Sequence, residues 1–583
     1  MRHFTTVLIF LLLVLAYVLA PFGLMQAHHI KYNFRSEATD RGIYGNVAMV
    51  VSAHGLASDV GRHILARGGN AFDAAIAVNF ALAVVYQQAG NIGGGGFMVY
   101  RLNDGTAGAL DFRERAPFAA RLDMFLDAEG QVIPGKSLEG HASVGVPGSV
   151  AGMVSIHQRF GSLPWEVLLS PAIELAQNGF VLTEKAADMF NRYADAFAIN
   201  SRDASTVIKA GGWQAGDIAV FEDLAKTLTR IKDEGLDGFY QGDTARLLIE
   251  EMESGGGIIK QKDLDDYRAI WRQPLAFQYR GYDVISMPPP SSGGVALAQL
   301  LGSVEPYNLS DLGHNSAAYM HLLIEAERRA YADRAVHLGD PDFVRVPVQQ
   351  LMDPAYIAAR MSDFDENHKT DSADIATGFA PAIESVETTH FSVADAAGNA
   401  VAITTTLNGN FGSKVIVKGA GFFLNNEMDD FSIKQGHANQ FGLLGGHANS
   451  IAPGKRMLSS MTPTIVSKDD DLFAVIGTPG GATIITSVFQ SILNMIDFGM
   501  TAQEAVNARK FHSQWQPDIV LFEKGTLDLR DLSGLHKRGH KIVTWPNFTY
   551  ELGRLEIIRR LDDGRYEGAS DWMRGLDDRA VGF

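Results

Sequence analysis

Two threonines stand side by side at the start of a predicted strand, and their hydroxyls are the first candidate chemistry in this sequence. Thr388 and Thr389 open a stretch, 389–394, that alternates with the period of two typical of a half-buried strand. A β-branched run follows at 401–406, and the turn residues 395–399 join the two strands as a hairpin. The return strand ends at Thr406, so the hairpin predicts two threonine hydroxyls at one end of a sheet.

A threonine hydroxyl inside a chain is a poor nucleophile because no base is positioned to take its proton. Cleavage between Glu387 and Thr388 would give Thr388 an α-amine beside its hydroxyl, a known solution to nucleophilic catalysis. The α-amine has a reference pKa of roughly 8 and can act as a base near neutral pH. Residue types alone still favour an ordinary strand, since threonine is common in strands.

The segment before this hairpin suits a chain break. Residues 362–382 are polar and rich in acidic and small residues, which is typical of a flexible linker. A freed chain end at this place could move aside and open the site to substrate.

Two charged segments offer further candidates. Arg113 ends the short predicted strand 110–112, and its guanidinium could bind a substrate carboxylate. The alternative is a solvated charge pair with Glu114 or Arg115. Residues 325–334 predict a charged helix. Charge pairs at i,i+3 and i,i+4 along that helix are enough to explain its charged residues.

Two other tempting features favour structural interpretations. The glycine-rich run 91–97 lacks both the Lys-Ser/Thr of a P-loop and the spacing of a dinucleotide fingerprint, so it predicts a tight turn between helix and strand. His512 is better explained as a packed scaffold histidine than as a catalytic base, because an N-terminal threonine needs no imidazole.

Six sequence blocks, taken together, resemble the γ-glutamyltransferase (glutathione hydrolase) family. They occur in the family's order, and the resemblance runs from about Val47 to Phe583. The blocks are residues 111–114 (DFRE), 287–294 (MPPPSSGG), 387–401 (ETTHFSVADAAGNAV), 424–432 (LNNEMDDFS), 456–463 (RMLSSMTP) and 477–481 (GTPGG). Matches this numerous outweigh the ordinary interpretation of the threonine pair.

The resemblance implies a four-layer αββα sandwich of the N-terminal nucleophile hydrolase type, whereas the residue pattern alone gives only a mixed α/β fold. It divides the chain into a signal peptide or membrane anchor at 1–27, a large subunit at 28–387 and a small catalytic subunit at 388–583. Both subunits are expected to share one core. The cut lies between Glu387 and Thr388 and is made by the Thr388 hydroxyl itself.

The resemblance also implies the reaction. Thr388 attacks the γ-glutamyl amide of glutathione or a related donor, and the acyl group then passes to water or to an amino acid or peptide. Thr406 orients the nucleophile, and the backbone amides of Gly480 and Gly481 stabilise the oxyanion. No metal or cofactor is expected.

The donor's head group is a zwitterion, so its pocket needs a cationic and an anionic end. By resemblance the α-carboxylate is held by Arg113, Ser459 and Ser460, and the α-ammonium by Asn408, Glu427 and Asp430. Position 427 is glutamine in some relatives, and the extra negative charge here predicts tighter amine binding. The loop Gln435–Gly446 resembles a lid over this pocket. Several bacterial relatives have a tyrosine where this chain has Phe441, so we expect a lid that is looser or differently latched.

Three alternatives remain open at this point. A cephalosporin (glutaryl) acylase or a poly-γ-glutamate amidase would share the Thr388 chemistry but need a different acyl pocket. A periplasmic amino-acid-binding protein would keep the zwitterion pocket without turnover. The complete head-group set and the intact threonines favour the γ-glutamyl enzyme over all three.

Composition bears on the possible partners, and the N-terminal segment bears on localisation. The 583 residues are 46% hydrophobic and 20% charged, with a net charge of −17 that argues against nucleic-acid binding. The absence of cysteine excludes disulfides and thiolate metal sites. Residues 4–27 carry no charge, which predicts a secretory signal or an uncleaved anchor. Either one places the body in the periplasm or outside the cell.

Overall fold

The computed structural model describes residues 42–375, 388–543, 552–575 and 577–583. The predicted signal or anchor at 1–27 and the residue Glu387 therefore lie outside the described residues. All described residues fall within one unit, 37–583. Within those ranges, no helix has both the length and the apolar character needed to cross a membrane.

Nineteen strands are described, and they are numbered in chain order. They are β1 Ile43–Gly45, β2 Met49–Ser52, β3 Gly95–Arg101, β4 Ala107–Asp111, β5 Phe180–Val181, β6 Ile218–Ala219, β7 Ile270–Arg272, β8 Leu275–Tyr279, β9 Tyr282–Ser286, β10 Thr389–Ala394, β11 Ala400–Thr406, β12 Thr464–Lys468, β13 Asp471–Gly477, β14 Phe511–His512, β15 Val520–Phe522, β16 Ile542–Val543, β17 Glu556–Arg560, β18 Tyr566–Ser570 and β19 Arg579–Gly582.

Two sheets of seven strands each form the centre of the described structure. One has the order β1-β18-β17-β13-β12-β9-β8, and the other has the order β19-β2-β10-β11-β3-β4-β7. Neighbouring strands in both sheets are antiparallel. Two small sheets, β14-β15-β16 and β5-β6, lie apart from this pair.

Helices follow in chain order between and after these strands. The α-helices are Gly55–Ala66, Ala71–Val85, Ser149–Phe160, Trp165–Asn178, Glu184–Asn200, Glu222–Glu234, Asp237–Tyr240, Gly242–Ser254, Gln261–Asp265, Gly293–Val304, Leu309–Leu312, Ala317–His337, Val348–Leu351, Pro354–Arg360, Ser372–Ile375, Thr483–Ile496, Ala502–Asn507 and Leu529–Lys537; the 3-10 helices are His141–Ser143, Glu427–Asp430 and His447–Asn449.

The layers confirm the αββα sandwich. Side chains from both sheets, such as Val51 and Phe97 from one and Val475 and Ile558 from the other, pack together as an inner core. Helices Gly293–Val304, Ala317–His337 and Thr483–Ile496 contribute to a second core on the outer face of the β1-to-β8 sheet. Helices Gly55–Ala66 and Ala71–Val85 pack on the other sheet.

The helix Ala71–Val85 shows how the sequence builds an outer layer. Asn70 caps it and forms a capping box with Asp73, which satisfies two amides at the helix start. All of its residues are buried, as an alanine-rich and almost wholly apolar sequence predicts.

Chain segments on either side of Thr388 contribute strands to both sheets. In the β19-to-β7 sheet, β10 lies between β2 and β11, and β11 lies between β10 and β3. In the other sheet, β12 joins β13 to β9. A cut at Thr388 therefore would not divide the core, because strands from each piece pair with strands from the other piece in both sheets.

One prediction from the sequence needs extension and another needs correction. The glycine run is more than a turn, since Gly95 and Gly96 lie inside β3 and pair with β11. The charged helix predicted at 325–334 is confirmed with its i,i+3 and i,i+4 pairs, Glu325 with Arg328 and Glu325 with Arg329, and the helix Ala317–His337 is buried along most of its length. The linker prediction is wrong for 362–375: Ser372 accepts hydrogen bonds from buried Arg328 and Trp515, at 2.7 and 2.9 Å. Residues 376–382 of that linker lie outside the described ranges.

Candidate active site

The predicted hairpin brings the two threonine hydroxyls together. β10 pairs with β11 in a register that sets Thr389 opposite Thr405, so Thr388 and Thr406 meet at the same end. Thr388 Oγ1 lies 3.4 Å from Thr406 Oγ1. The backbone amide of Asn408 donates to Thr406 Oγ1 at 2.8 Å. Because Thr406 Oγ1 already accepts that bond, its own proton can be donated to Thr388 Oγ1.

A buried asparagine, which the sequence did not single out, fixes Thr406 from behind. Asn91 Nδ2 donates to the Thr406 carbonyl at 2.9 Å, and Asn91 Oδ1 accepts from Gly94 N at 2.9 Å and Ser149 Oγ at 2.7 Å. A Cβ on Gly94 would lie 2.0 Å from the Thr406 carbonyl oxygen. The glycine run is therefore needed for close approach to the threonine strand.

An ion network holds Arg113 beside the block 456–463. The Asp111 carboxylate accepts from the Arg113 backbone amide at 3.0 Å and pairs with Arg272 at 2.8 Å and Arg456 at 3.3 Å. All of these groups except Arg272 are largely buried. The network joins the end of β4 to the loop that carries Ser459 and Ser460.

Arg113 is buried and already surrounded by carboxylates. Its guanidinium pairs with Glu427, with Asp430 at 2.6 Å and with Glu114 at 3.6 Å. The family resemblance implies that Arg113 lies at the carboxylate end of the pocket and that Glu427 and Asp430 lie at the ammonium end. The structure places the two ends in direct contact, so a zwitterion would have to insert between groups that neutralise one another.

Burial governs the ionisation of this cluster. It raises the pKa of Glu114 to about 7 in spite of Arg113, and it also raises the pKa of Glu427 and of Asp430. Burial alone would lower the pKa of Arg113, but Glu427, Asp430 and Glu114 together raise it well above its usual value. Arg113 therefore stays charged, while burial disfavours the charged forms of the three carboxyls.

Both serine hydroxyls in the pocket lining accept a hydrogen bond. Ser459 Oγ accepts from Met461 N at 3.1 Å, and Ser460 Oγ accepts from Arg334 Nη2 at 3.2 Å. Each hydroxyl therefore keeps its proton for another acceptor, such as a carboxylate.

Asn408 offers the complementary group. Its side-chain Nδ2 donates to the Asn426 carbonyl at 3.0 Å, which leaves Oδ1 as an acceptor for an ammonium group. Asn408 has φ of +77°, a conformation that asparagine tolerates better than most residues.

The glycine pair precedes a helix whose amide end faces the site. Gly480 and Gly481 have φ of +149° and +51°, in the range that favours glycine. The helix Thr483–Ile496 begins just after them. Backbone amides at a helix start carry partial positive charge and favour a developing anion.

The lid is latched by two side-chain amides, Asn439 of its own loop and Gln514 from outside it. Asn439 Nδ2 donates to Asp430 Oδ1 at 2.7 Å, and Asn439 Oδ1 accepts from Phe441 N at 3.0 Å. Gln514 Nε2 donates to the Phe441 carbonyl at 3.2 Å. Phe441 itself is 7% exposed and its ring covers Gly481. The latch thus uses amides where a tyrosine hydroxyl is absent.

One pocket joins nearly all the predicted residues. It is lined by Arg113, Thr388, Thr406, Asn408, Glu427, Asp430, Phe441, Leu443, Ser459, Ser460, Met461, Gly481 and Ile484. Gly480 neighbours this lining without belonging to it, and Glu387 lies outside the described residues. Sequence reasoning missed Asn91 and Arg334, whose partners Thr406 and Ser460 are distant in the chain. It also missed Asn439, whose partner Asp430 is nine residues away.

Other ionisable residues are explained as scaffold. Among the described residues, His321, Glu325 and His540 are close enough to hold a metal ion. However, both oxygens of Glu325 already pair with buried Arg328 and Arg329, which disfavours a cation there. His512 bonds to Thr486 and Gln514, and burial lowers its pKa to about 4, in keeping with the scaffold role predicted for it.

Comparison with known proteins gives a family match over most of the chain. The Gamma-glutamyltranspeptidase family matches residues 57–580. A glutathione hydrolase proenzyme of Pseudomonas sp. (strain A14) is 48% identical over 497 residues, 85% of this chain and 86% of that protein. The glutathione hydrolase proenzyme of Escherichia coli (strain K12) is 44% identical over 537 residues, 92% of each chain.

Acylases are related as well. The Acylase ACY 1 proenzyme of Pseudomonas sp. (strain SE83) is 38% identical over 536 residues, 91% of this chain and 92% of that protein. The crystal structure of a cephalosporin acylase from Bacillus halodurans superposes with a TM-score of 0.80 at 26% identity, covering 95% of this chain and 98% of that one. A Helicobacter pylori gamma-glutamyltranspeptidase gives 0.54 at 45% identity, covering 56% and 94%.

Proposed function

The chain belongs to the γ-glutamyltranspeptidase family, and from this premise we propose that it is a self-processing γ-glutamyl transferase and glutathione hydrolase with Thr388 as its nucleophile. The observation that carries the proposal is the placement of the Thr388 and Thr406 hydroxyls, 3.4 Å apart, at the edge of a pocket with groups for both ends of an amino acid. Glutathione hydrolysis by the purified protein tests it. Release of glutamate supports the proposal, and a protein inert towards every γ-glutamyl amide contradicts it.

The first reaction is on the protein itself. Thr388 Oγ attacks the Glu387 carbonyl carbon, the Glu387–Thr388 C–N bond breaks, and an ester forms while the nitrogen becomes the free α-amine. Water then hydrolyses the ester. The products are a large subunit ending at Glu387 and a small subunit, 388–583. Because both pieces supply strands to both sheets, they stay associated in one core.

Turnover uses the new chain end. The Thr388 α-amine takes the proton from its own hydroxyl, and Oγ attacks the γ-carbonyl of the donor. Thr406 donates to Thr388 Oγ and so keeps it aimed, while the amides of Gly480 and Gly481 receive the oxyanion. Loss of the amine leaving group gives an ester on Thr388. Water converts that ester to glutamate, whereas an amino acid or peptide amine gives a transfer product.

The head group is recognised by its two charges. Arg113, Ser459 and Ser460 hold the α-carboxylate by hydrogen bonds from a guanidinium and two hydroxyls. Glu427, Asp430 and Asn408 hold the α-ammonium. Insertion of the zwitterion replaces the contacts of Arg113 with Glu427 and Asp430 by contacts with ligand charges, so no buried charge is left unpaired.

Gly481→Ala is expected to lower kcat roughly 100-fold, because an oxyanion donor would be displaced. A Cβ at this residue would lie 2.4 Å from the Phe441 ring, and φ of +51° is unfavourable for alanine. Gly499→Ala is the matched control: φ is +65° and no atom lies within 4 Å of the added Cβ. Steady-state kinetics measure kcat for both variants. Equal activity of the two would contradict the role of the Gly481 amide as an oxyanion donor.

Asn439→Ala is expected to raise KM roughly tenfold, because it removes the hydrogen bond to Asp430 Oδ1 and the bond that Asn439 Oδ1 accepts from the Phe441 amide of the lid. Gln440→Ala provides the control within the same loop, since Gln440 Nε2 has no hydrogen-bond partner among the described residues. A KM for Asn439→Ala equal to that of the control would mean that the lid is held by other contacts.

An acylase for glutaryl amides is the second candidate, because the cephalosporin acylase structure shares the fold over nearly the whole chain. A glutaryl group lacks the ammonium that Glu427, Asp430 and Asn408 would bind. The proposed γ-glutamyl function therefore predicts that glutathione is a much better donor than the glutaryl amide that carries the same cysteinylglycine leaving group. Faster release from the glutaryl amide would favour the acylase instead.

For localisation we propose a periplasmic or extracellular protein. The supporting observation is the charge-free segment 4–27 behind a basic start. Whether that segment is a cleaved signal or an anchor decides between a free and a membrane-attached body. Fractionation of cells into cytoplasm, membrane and periplasm tests the proposal, and activity confined to the cytoplasm would contradict it.

A further inference from the structure

Arg334 is a buried cation whose hydrogen-bond partners in the described structure are serine hydroxyls. It lies near the end of the helix Ala317–His337 and is 5% exposed. Arg334 Nε donates to Ser292 Oγ at 3.0 Å, and Nη2 donates to Ser460 Oγ at 3.2 Å. Ser460 lines the pocket, whereas Arg334 does not.

Two other arginines on the same helix have carboxylate partners, which Arg334 lacks among the described residues. Arg328 pairs with Glu325 at 2.5 Å, and Arg329 pairs with Glu325 at 2.8 Å and with Asp363 at 2.7 Å. Among the described residues, no carboxylate oxygen lies within 4.0 Å of the Arg334 guanidinium. Burying a cation without an adjacent anion costs free energy, so its retention favours a role for the charge.

The charges around Arg334 come from several elements. Tyr331 lies on its own helix, and across the pocket stand Asp430, which favours the charged guanidinium, and Arg113, which opposes it. Burial is the largest effect and lowers the pKa of Arg334 to about 10. Arg334 therefore stays protonated at neutral pH. Unlike Arg113, it has no carboxylate in contact to offset its charge.

The hydrogen bond to Ser460 connects Arg334 to the pocket. Because Ser460 Oγ accepts from Arg334, its proton is directed elsewhere, and the pocket is where an acceptor could meet it. A hydroxyl whose oxygen accepts from a cation is also a stronger donor, since hydrogen bonds polarise one another in chains.

We propose that Arg334 is a positioning residue for the donor's α-carboxylate: it holds the Ser460 hydroxyl as a hydrogen-bond donor and supplies the positive charge that Glu427 and Asp430 do not neutralise. The proposal rests on the γ-glutamyl function proposed above and adds a determinant of specificity to it. Arg334 acts through Ser460 and does not touch the donor.

The test compares Arg334→Gln with Arg334→Lys on two chromogenic donors, γ-glutamyl-4-nitroanilide and its α-carboxamide analogue. For the carboxylate donor, we expect Arg334→Gln to raise KM about tenfold with little change in kcat, the scale of one charge-assisted hydrogen bond. Arg334→Lys should recover part of the loss. For the carboxamide donor, the same substitutions should change KM less than about twofold, because that donor has no negative charge to recognise.

A double-mutant cycle shows whether the effect passes through Ser460. In a Ser460→Ala background, Arg334→Gln should add little to KM, because the hydroxyl that it positions is gone. Equal losses on both donors, or an undiminished effect in that background, would overturn the proposal. If Arg334→Gln is not processed into subunits, the same cycle with Arg334→Lys decides the question.

Binding of free L-glutamate separates this proposal from the proposed function. Calorimetry needs no turnover, and we expect Arg334→Gln to weaken glutamate binding about tenfold relative to the unsubstituted protein. Unchanged glutamate affinity would refute the role of Arg334 even in an active enzyme. Absence of turnover by an unsubstituted protein that binds glutamate would instead refute the proposed function.

Discussion

Thr388→Ala is expected to yield one continuous chain through residue 388 and to abolish γ-glutamyl transfer. The variant has neither the hydroxyl that attacks the Glu387 carbonyl nor the nucleophile for the donor, so both reactions stop at their first step. Loss of a nucleophile in a residue set that acts as a unit typically costs on the order of 10⁶-fold in kcat. Denaturing gel electrophoresis and an assay with glutathione measure the two outcomes.

Two neighbouring variants serve as controls for Thr388→Ala. Thr388→Ser retains a hydroxyl and should still be cut. Thr389→Ala removes a hydroxyl that has no hydrogen-bond partner among the described residues, and it too should be cut. The folded state of each protein can be compared by thermal unfolding. If Thr388→Ala separates into two pieces, another group makes the cut and the nucleophile is wrongly assigned.

Arg113→Ala is expected to lower kcat/KM for γ-glutamyl donors roughly 1,000-fold, the scale of losing one partner of a buried, hydrogen-bonded charge pair. The effect should fall mainly on KM, because Arg113 binds a part of the donor that does not react. Comparison of kcat and KM with γ-glutamyl-4-nitroanilide measures it.

The same substitution should also destabilise the protein. Arg113 is 1% exposed and is the counter-ion of Glu427 and Asp430. Removal of one partner of a buried pair costs about 3–5 kcal/mol, and protonation of the remaining carboxyls would offset part of that cost. Thermal unfolding of the processed variant should show a lower midpoint.

Arg115→Ala is the matched control for Arg113→Ala. The Arg115 guanidinium donates to the backbone carbonyls of Asp263 and Asp266 and lies over Phe118, outside the pocket. Its loss should leave KM nearly unchanged. Normal donor affinity in Arg113→Ala, or an equal loss in Arg115→Ala, would contradict the carboxylate role of Arg113.

Sequence reasoning reached the fold and most of the pocket because the needed signals are local. The alternation at 389–394 and the β-branched run at 401–406 predict the hairpin, which sets Thr388 against Thr406. The motif blocks then supplied Arg113, Ser460 and the other pocket residues by resemblance. Residue pattern alone would have left the threonines as an ordinary strand.

The unpredicted features depend on contacts between distant segments. Asn91 binds Thr406 across 315 residues, and Arg334 binds Ser460 across 126. Nothing in the run 325–334 distinguishes Arg334 from Arg328, since their difference lies in which neighbours the folded helix meets. The ion pairs of Arg113 with Glu427 and Asp430 were also not predicted. The resemblance implies which residues bind a ligand, but it does not say which of these residues pair with each other when no ligand is bound.

The central claim is that Thr388 becomes a chain end through its own chemistry. Intact-mass analysis of the purified, active protein tests this most directly. We predict two species, one of which has the mass of residues 388–583 with an unmodified N-terminal threonine. A single species of full activity in which residues 387 and 388 are still joined would contradict the account.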